Sequence, residues 1–326
     1  MNRTLAQLLV QRRPELSALG IDWRITGIAS RRLGWIADPE GLSRFLRDDG
    51  ELDFDSVPAS ARKSANVREW LAAARADVLF EATSLNIENG QPAIDHLRAA
   101  LEHGAHAITA NKGPVVYGYR ELCELAARQR RCFLFESTVM DGVPIFSLFR
   151  ENLPLVRLQG FRGILNSTTN VILDGMESGL SFQDALKRAQ EVGVAETDAS
   201  HDIEGWDAAV KTAALVTVLM NEPIRIQDVE REGIAQLTAE KVRAARAEGR
   251  PYKLVCSVRR SQSGVVARVA PERLPLTDPL ALVTGTSSIV YFETDIFPGL
   301  CITENHPGLY ATAYGMLADF VSAVHA

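Results

Sequence analysis

The sequence predicts an α/β chain in two parts: a doubly wound parallel sheet first, then an α+β segment. Three observations carry this. Strand-like and helix-like stretches alternate through the first third, the pattern of parallel βαβ units. Four strand-like runs crowd into the last quarter. The chain has 326 residues, enough for about two domains.

In chain order, residues 4–18 read as a helix, with Leu5, Leu8, Leu9, Leu16 and Leu19 approximating an apolar stripe. Residues 23–29 (WRITGIA) and 77–83 (DVLFEAT) read as strands. A helix near 91–103, a strand at 105–110, a helix near 117–130 and a strand at 132–137 follow. The middle holds a strand at 157–163 and helices near 168–178 and 181–192. A buried helix spans 207–220, because DAAVKTAALVTVLM is Ala-rich, lacks Gly and Pro, and is apolar around most of its circumference. Strands at 252–258, 265–270, 288–294 and 300–303 precede a last helix at 309–324, which is free to pack back on the first part.

Composition excludes several classes. The chain is 46% hydrophobic and 23% charged, ordinary for a soluble globular protein. A net charge of -6 argues against a general nucleic-acid surface. No apolar stretch approaches the roughly 20 residues that span a bilayer, so no membrane partner is expected. The amphipathic, charged N-terminus does not read as a signal peptide. Cys123, Cys132, Cys256 and Cys301 lack metal-type spacing and read as thiols of a reducing cytoplasm.

Asp207 and Lys211 are the only charges in that apolar helix. Four residues apart, they share a face. The pair alone fits an ordinary ion pair as well as a working one. The preceding AETDASHDIEG adds Glu196, Asp198, Asp202 and Glu204. Carboxylates that close repel one another unless a cation or solvent intervenes. A lysine facing an acidic pocket suits a small zwitterionic substrate.

Other motifs sit where ligands bind in doubly wound sheets, beyond the carboxyl ends of strands. Asn111 and Lys112 follow one strand, and Thr83 and Ser84 another. Lys112 could hold a substrate carboxylate or a cofactor group, though the local pattern alone favours a solvated loop lysine. Thr83 and Ser84, taken in isolation, read first as a cap for the next helix. Ser30, Arg31 and Arg32 follow the strand at 23–29. In a dinucleotide fold, arginines without an acid at that point favour NADP over NAD; an exposed basic turn reads the same way. The turn in FESTVMDGVPIF (135–146) offers backbone carbonyls to a hard cation, as few such turns do. GILNSTTN (163–170) can cap a helix or donate to an anion.

Taken together, ITANKGP, FESTVMDGVPIF, GILNSTTNVIL, GVAETDASHDIEGWDAAVK, REGI (231–234) and GTSS (285–288) resemble the homoserine dehydrogenase family over nearly the whole chain. The resemblance implies NAD(P)-dependent interconversion of L-aspartate 4-semialdehyde and L-homoserine, on the route to threonine and methionine. It implies a truncated Rossmann-type sheet over 1–135, completed by 304–326, with a substrate-binding and dimerisation domain over 136–303. Lys211 matches the catalytic lysine and Asp207 the carboxylate that positions it. A desolvated lysine has a lowered pKa, which suits proton transfer. Glu196 and Asp202 match carboxylates that meet the substrate's polar groups, Thr168 a substrate contact, and Lys112 a lysine beside nicotinamide and substrate. Backbone carbonyls of Glu136, Val139, Asp141 and Val143 match a monovalent-cation site such as one for sodium. A cytoplasmic homodimer is expected.

The sequence departs from the family pattern in two places. It begins inside the helix that follows the family's first strand and glycine-rich turn, which is expected to reflect a start codon assigned too far downstream. A non-enzymatic dimeric homologue without the cofactor loop is the alternative, and a dehydrogenase for another semialdehyde or amino alcohol a third reading. Near the end, TENHPGLYATAYG (303–315) keeps only Gly308, Thr312 and Ala313 of the family's second glycine-rich loop.

Overall fold

The computed structural model describes residues 1–31, 33–42, 53, 61–262 and 264–326. They form two compact units, Met1–Pro144 with Gly308–Ala326, and Ile145–Pro307.

The first unit opens with α1 (Asn2–Gln11) and α2 (Arg13–Ala18) rather than the single helix expected over 4–18. Pro14 explains the break. A proline lacks the N–H an interior turn needs and is accommodated in the first turn of α2. Next come β1 (Gly27–Ser30), β2 (Gly34–Ala37) and β3 (Arg62–Ser64), an antiparallel meander. The strand expected at 23–29 therefore begins later and pairs with β2 instead of joining the parallel sheet. The antiparallel pairing with β2 is accounted for by the tight turn after Ser30. Its hydroxyl accepts from Leu33 N at 3.1 Å, and Gly34, at φ +71°, sends the chain straight back.

Helix α3 (Val67–Ala74) is capped by Asn66 and ties to β2 through Trp70 Nε1, which donates to Ile36 O at 2.8 Å. Strands β4 (Val78–Glu81), β5 (His106–Thr109) and β6 (Phe133–Leu134) form the parallel sheet, in that order. Helix α4 (Ala93–His103) crosses between β4 and β5. Helices α5 (Lys112–Tyr117) and α6 (Tyr119–Gln129) cross between β5 and β6. Successive strand residues face opposite ways. Phe80, Ile108 and Leu134 pack on α1 and on α12 (Leu309–Val324), with Leu5, Leu8, Met316 and Phe320 in the same core. α4 packs on β4 and β5, where Leu79 and Ala107 are buried.

The second unit is built on a six-stranded sheet. Its strands are β7 (Leu158–Ile164), β8 (Glu230–Arg231), β9 (Tyr252–Ser261), β10 (Gly264–Arg273), β11 (Ser288–Thr294) and β12 (Leu300–Glu304). The order is β12-β11-β7-β9-β10-β8, antiparallel except for the parallel β8–β10 pair. Its helices are α7 (Ser167–Glu177), α8 (Phe182–Glu191), α9 (Ser200–Ile203), α10 (Trp206–Leu219) and α11 (Ala239–Ala247). α10 lies on β9 and β10, and α7 on β9. Residues 274–283 add a second apolar cluster on Ile164, Val255 and Ile289.

The sequence expectation put the turn at 136–143 in the second domain; the structure puts it in the first unit. Asp319 of α12 accepts from Glu136 N at 2.8 Å, Ser137 Oγ donates to Thr312 O at 2.6 Å, and Thr312 Oγ1 donates to Asp141 Oδ1 at 2.9 Å. Gly142 lies so close that a Cβ there would overlap the Ala311 carbonyl.

Candidate active site

In the second unit, α10 starts at Gly205, whose φ of +82° turns the chain sharply out of α9. Asp207 then falls in the first turn of α10, where the helix dipole favours a carboxylate. Lys211 follows one turn later, and its Nζ lies 2.9 Å from Asp207 Oδ2. It also donates to Leu165 O at 2.6 Å. Both side chains are about one-fifth exposed.

Asn166 connects the rest. Its Oδ1 caps α7 by accepting from Thr169 N at 2.9 Å. Its Nδ2 donates to Asp202 Oδ1 at 2.6 Å and to Asp207 Oδ2 at 3.1 Å. One amide with two N–H groups thus bridges two carboxylates. Burial pushes the Asp202 carboxyl above its ordinary range, and the neighbouring Asp207 adds to this; Asn166, Lys211 and Thr168 pull it back. Thr168 Oγ1 also donates to Val194 O at 3.1 Å. Beneath α10, Cys256 is fully buried and its thiol is pushed up to about 11, chiefly by desolvation. It stays a neutral thiol, a packing group rather than a nucleophile.

The structure thus gathers Asp202, Asp207, Lys211 and Thr168. Glu196 sits on the exposed loop before α9; its backbone carbonyl accepts from Gln190 Nε2 at 3.2 Å. Asn166 was missed in the sequence. Its position one residue before a helix marked it as a cap, and a capping amide keeps its two donors for other work.

In the first unit, Thr83 and Asn111 meet at the carboxyl ends of β4 and β5. Asn111 Nδ2 donates to Thr83 O at 3.1 Å and its Oδ1 accepts from Gly113 N at 3.0 Å. Glu81, also missed, organises both ends: one oxygen accepts from Thr83 N at 2.7 Å and the other from Thr109 Oγ1 at 2.7 Å. Lys112 opens α5 and is half-buried, while Ser84 is exposed on the following loop. Ser30 and Arg31 occupy the exposed β1–β2 turn; Arg32 lies outside the described residues.

A cavity of about 1130 Å³ opens in this unit, walled by α1, α3, residues 19–29 and the edge of β4. Arg13, Arg24 and Arg75 stand on its wall with Trp23, whose buried Nε1 has no hydrogen-bond partner among the described residues. The same wall carries Asp22, Glu40, Asp77 and Glu81, so cations and carboxylates share it, and Thr83 is the expected cofactor residue that reaches it.

The homoserine dehydrogenase family model matches residues 144–321, more than half of the chain and all the residues gathered around Lys211. The chain belongs to the homoserine dehydrogenase family. It is 32% identical, over 98% of its length and 92% of the relative's, to an NAD(+)-dependent homoserine dehydrogenase of Pseudomonas canavaninivorans. A crystal structure from Archaeoglobus fulgidus ascribed to a homoserine dehydrogenase superposes with TM-score 0.83 at 31% identity, over 98% of this chain and 95% of that one. A hyperthermophilic archaeal homoserine dehydrogenase mutant in complex with NADPH gives TM-score 0.78 at 25% identity, over 99% and 94% of the two chains. These relatives are NAD(P)-dependent oxidoreductases, and the mixed α/β architecture is theirs.

The turn at 136–143 holds Met140 and Asp141 at φ +52° and +51°, two successive left-handed residues that neither glycine nor asparagine eases. Among the described residues, no cluster of three or more His, Cys, Asp or Glu side chains is placed to hold a metal ion; a carbonyl-lined site needs none. No described helix is long and apolar enough to cross a membrane.

Proposed function

We propose that this chain interconverts L-aspartate 4-semialdehyde and L-homoserine with NADP or NAD, NADP being favoured. The observation that carries the reading is the Asn166 bridge, which holds Asp202 and Asp207 together beside Lys211. In this reading the Asp202 and Glu196 carboxylates receive the substrate ammonium, and Thr168 donates to the substrate. Bound nicotinamide supplies or accepts the hydride at the carbonyl carbon. Lys211 gives a proton to the carbonyl oxygen in reduction and takes it from the hydroxyl in oxidation, so charge does not build up on oxygen. Asp207 and the Leu165 carbonyl fix the direction of the lysine N–H groups during that transfer.

Thr83, Asn111 and Lys112 would border the nicotinamide end of the cofactor, with Ser84 beside them. Ser30, Arg31 and Arg32 would meet the ribose end, where the arginines favour a 2′-phosphate. Carbonyls of Glu136, Val139, Asp141 and Val143 would hold a monovalent cation such as sodium. The enzyme would act as a cytoplasmic homodimer. A relative without activity is the less favoured reading, because the match to an enzyme runs along almost the whole chain.

The test is oxidation of NADPH and of NADH in the presence of aspartate semialdehyde. Lys211→Ala is expected to lower kcat by about 10²–10⁴-fold. Unchanged turnover in that variant removes the proposed role of the lysine. Arg31→Glu is expected to lower kcat/KM for NADPH and spare NADH; equal effects on both would remove the NADP preference.

A further inference from the structure

The REGI segment (231–234) has no part in the chemistry above, yet it grips the joint that carries the acidic pair. Asp202 lies on α9, and Asp207 and Lys211 on α10. Between them stand only Glu204 and Gly205 around the sharp bend. Three contacts reach this joint from the REGI segment. The Arg231 guanidinium donates to the Glu204 carbonyl, and its carbon sits 3.8 Å from the Trp206 ring centroid, a stacked cation–π contact at the first residue of α10. Ile234 N donates to Ile203 O at 2.9 Å, which ties down the end of α9, and the Ile234 side chain is fully buried. Gly233 makes the approach possible: a Cβ there would overlap the Ile203 carbonyl and lie 2.6 Å from Glu204 Cα.

The segment is itself fixed. β8 pairs with β10 through Glu230↔Arg268 and Arg231↔Val269, and Glu232 N donates to Val269 O at 2.8 Å. The joint is thereby referenced to the six-stranded sheet rather than left to a single bend. Trp206 Nε1 closes the arrangement by donating to Glu204 Oε2 at 3.0 Å.

We propose that Arg231, Gly233 and Ile234 form a positioning clamp on the α9–α10 joint, which sets the spacing of Asp202 and Asp207 and so the affinity for the amino-acid substrate. The proposal rests on the dehydrogenase reading. The clamp residues touch no reacting group and act through the two aspartates. Asn166 can bridge both carboxylates only while the joint holds its angle. The charged groups facing Asp202 are Asp207 and Lys211 of α10; Asn166 and Thr168 of α7 face it as donors. Loosening the joint lets water reach Asp202, which lowers its carboxyl toward the ordinary range.

The test uses the full chain with Arg231→Met, Arg231→Lys and Gly233→Ala. Arg225→Met serves as the control, since Arg225 pairs with Asp228 on the exposed surface just before β8. Arg231→Met is expected to raise KM for the semialdehyde and for homoserine about tenfold, with KM for the nicotinamide cofactor unchanged. The acid limb of its kcat/KM profile moves to lower pH, and Arg231→Lys, which keeps charge without the planar fork, recovers only part of the loss. Unchanged amino-acid KM in Arg231→Met, or equal losses for substrate and cofactor, overturns the clamp. So does an acid limb that stays in place. Should Gly233→Ala not fold, the Arg231 pair still decides. Should the wild-type chain turn over no semialdehyde, the dehydrogenase reading fails by itself. The clamp is then decided by carbon-detected titration of Asp202: a downward move in Arg231→Met upholds it, and an identical titration overturns it.

Discussion

Asp202 is the residue whose position works against the fold. Burial and the nearby Asp207 raise its carboxyl, so the folded chain keeps that proton to higher pH than the unfolded chain. Between the ordinary aspartate value and the raised one, stability therefore falls as pH rises, and the full penalty stands above the raised value. Asp202→Asn keeps the shape and an acceptor oxygen for Asn166 while removing the charge. Its Tm is expected to exceed that of the wild type near neutral pH, with the two converging in acid, while KM for the amino-acid substrate rises. A thermal-melt series across pH checks this, and a variant less stable than wild type near neutral pH would contradict it. Lys211 and Asp207 were legible as a pair because two charges in an apolar helix are conspicuous. Asn166 and Glu81 were not. Neither departs from its local pattern, one being an ordinary cap and the other an ordinary strand end, and only folding brings their partners to them.

At the scale of elements, α7 is the hub of the second unit. Its N-terminus carries Asn166, and the carbonyl of Leu165 just before it accepts from Lys211. One face of the same helix is stitched to the loop before β11. Lys253 of β9 is fully buried and donates to Asn170 Oδ1 at 2.9 Å and Asp174 Oδ1 at 3.0 Å. Asn170 Nδ2 donates to Gly285 O at 2.8 Å, Gly285 N donates at 2.5 Å to Asp174 Oδ2, and Ser167 Oγ donates to Thr286 O at 2.7 Å. Lys253 is fully buried, whereas Asp174 is partly exposed and keeps the Gly285 N–H, so Lys253→Met is expected to destabilise by about 1–3 kcal/mol. Adding Asp174→Leu to Lys253→Met is expected to restore most of that. Denaturant unfolding of the wild type, both single variants and the double variant tests the coupling; additive losses would show that the pair is not linked. α11 and α3 escaped the sequence reading although Thr238 and Asn66 cap them. The apolar stripe of α11 is thin, Val242 and Ala245 being its buried residues, too few to set a period; α3 is only eight residues long and buries Trp70, Leu71 and Ala74.

Across the whole molecule, the two-part architecture was readable because strand–helix alternation gives way to a strand-rich region. Strand partners were less readable. Residues 23–29 show strand composition, and composition does not say which neighbours a strand pairs with; the turn after Ser30 brings β2 back alongside it. The return of the last helix was legible, since its apolar residues had no nearby partner in sequence. Met316, Leu317 and Phe320 of α12 share one core with Leu5, Leu8, Leu9 and Ile108. Each such fully buried side chain contributes about 1.5–3 kcal/mol, several of them together as much as a whole domain's net stability. The Ile145–Pro307 unit, by contrast, is continuous in sequence and has its own sheet and cluster around Val255 and Ile289. Ending the chain after Pro307 is therefore expected to unfold the first unit and leave the second folded. Hydrogen exchange reads this directly: amides of β4 and β5 lose protection while those of β7, β9 and β11 keep theirs. Equal loss in β9 would mean that the six-stranded unit does not stand by itself.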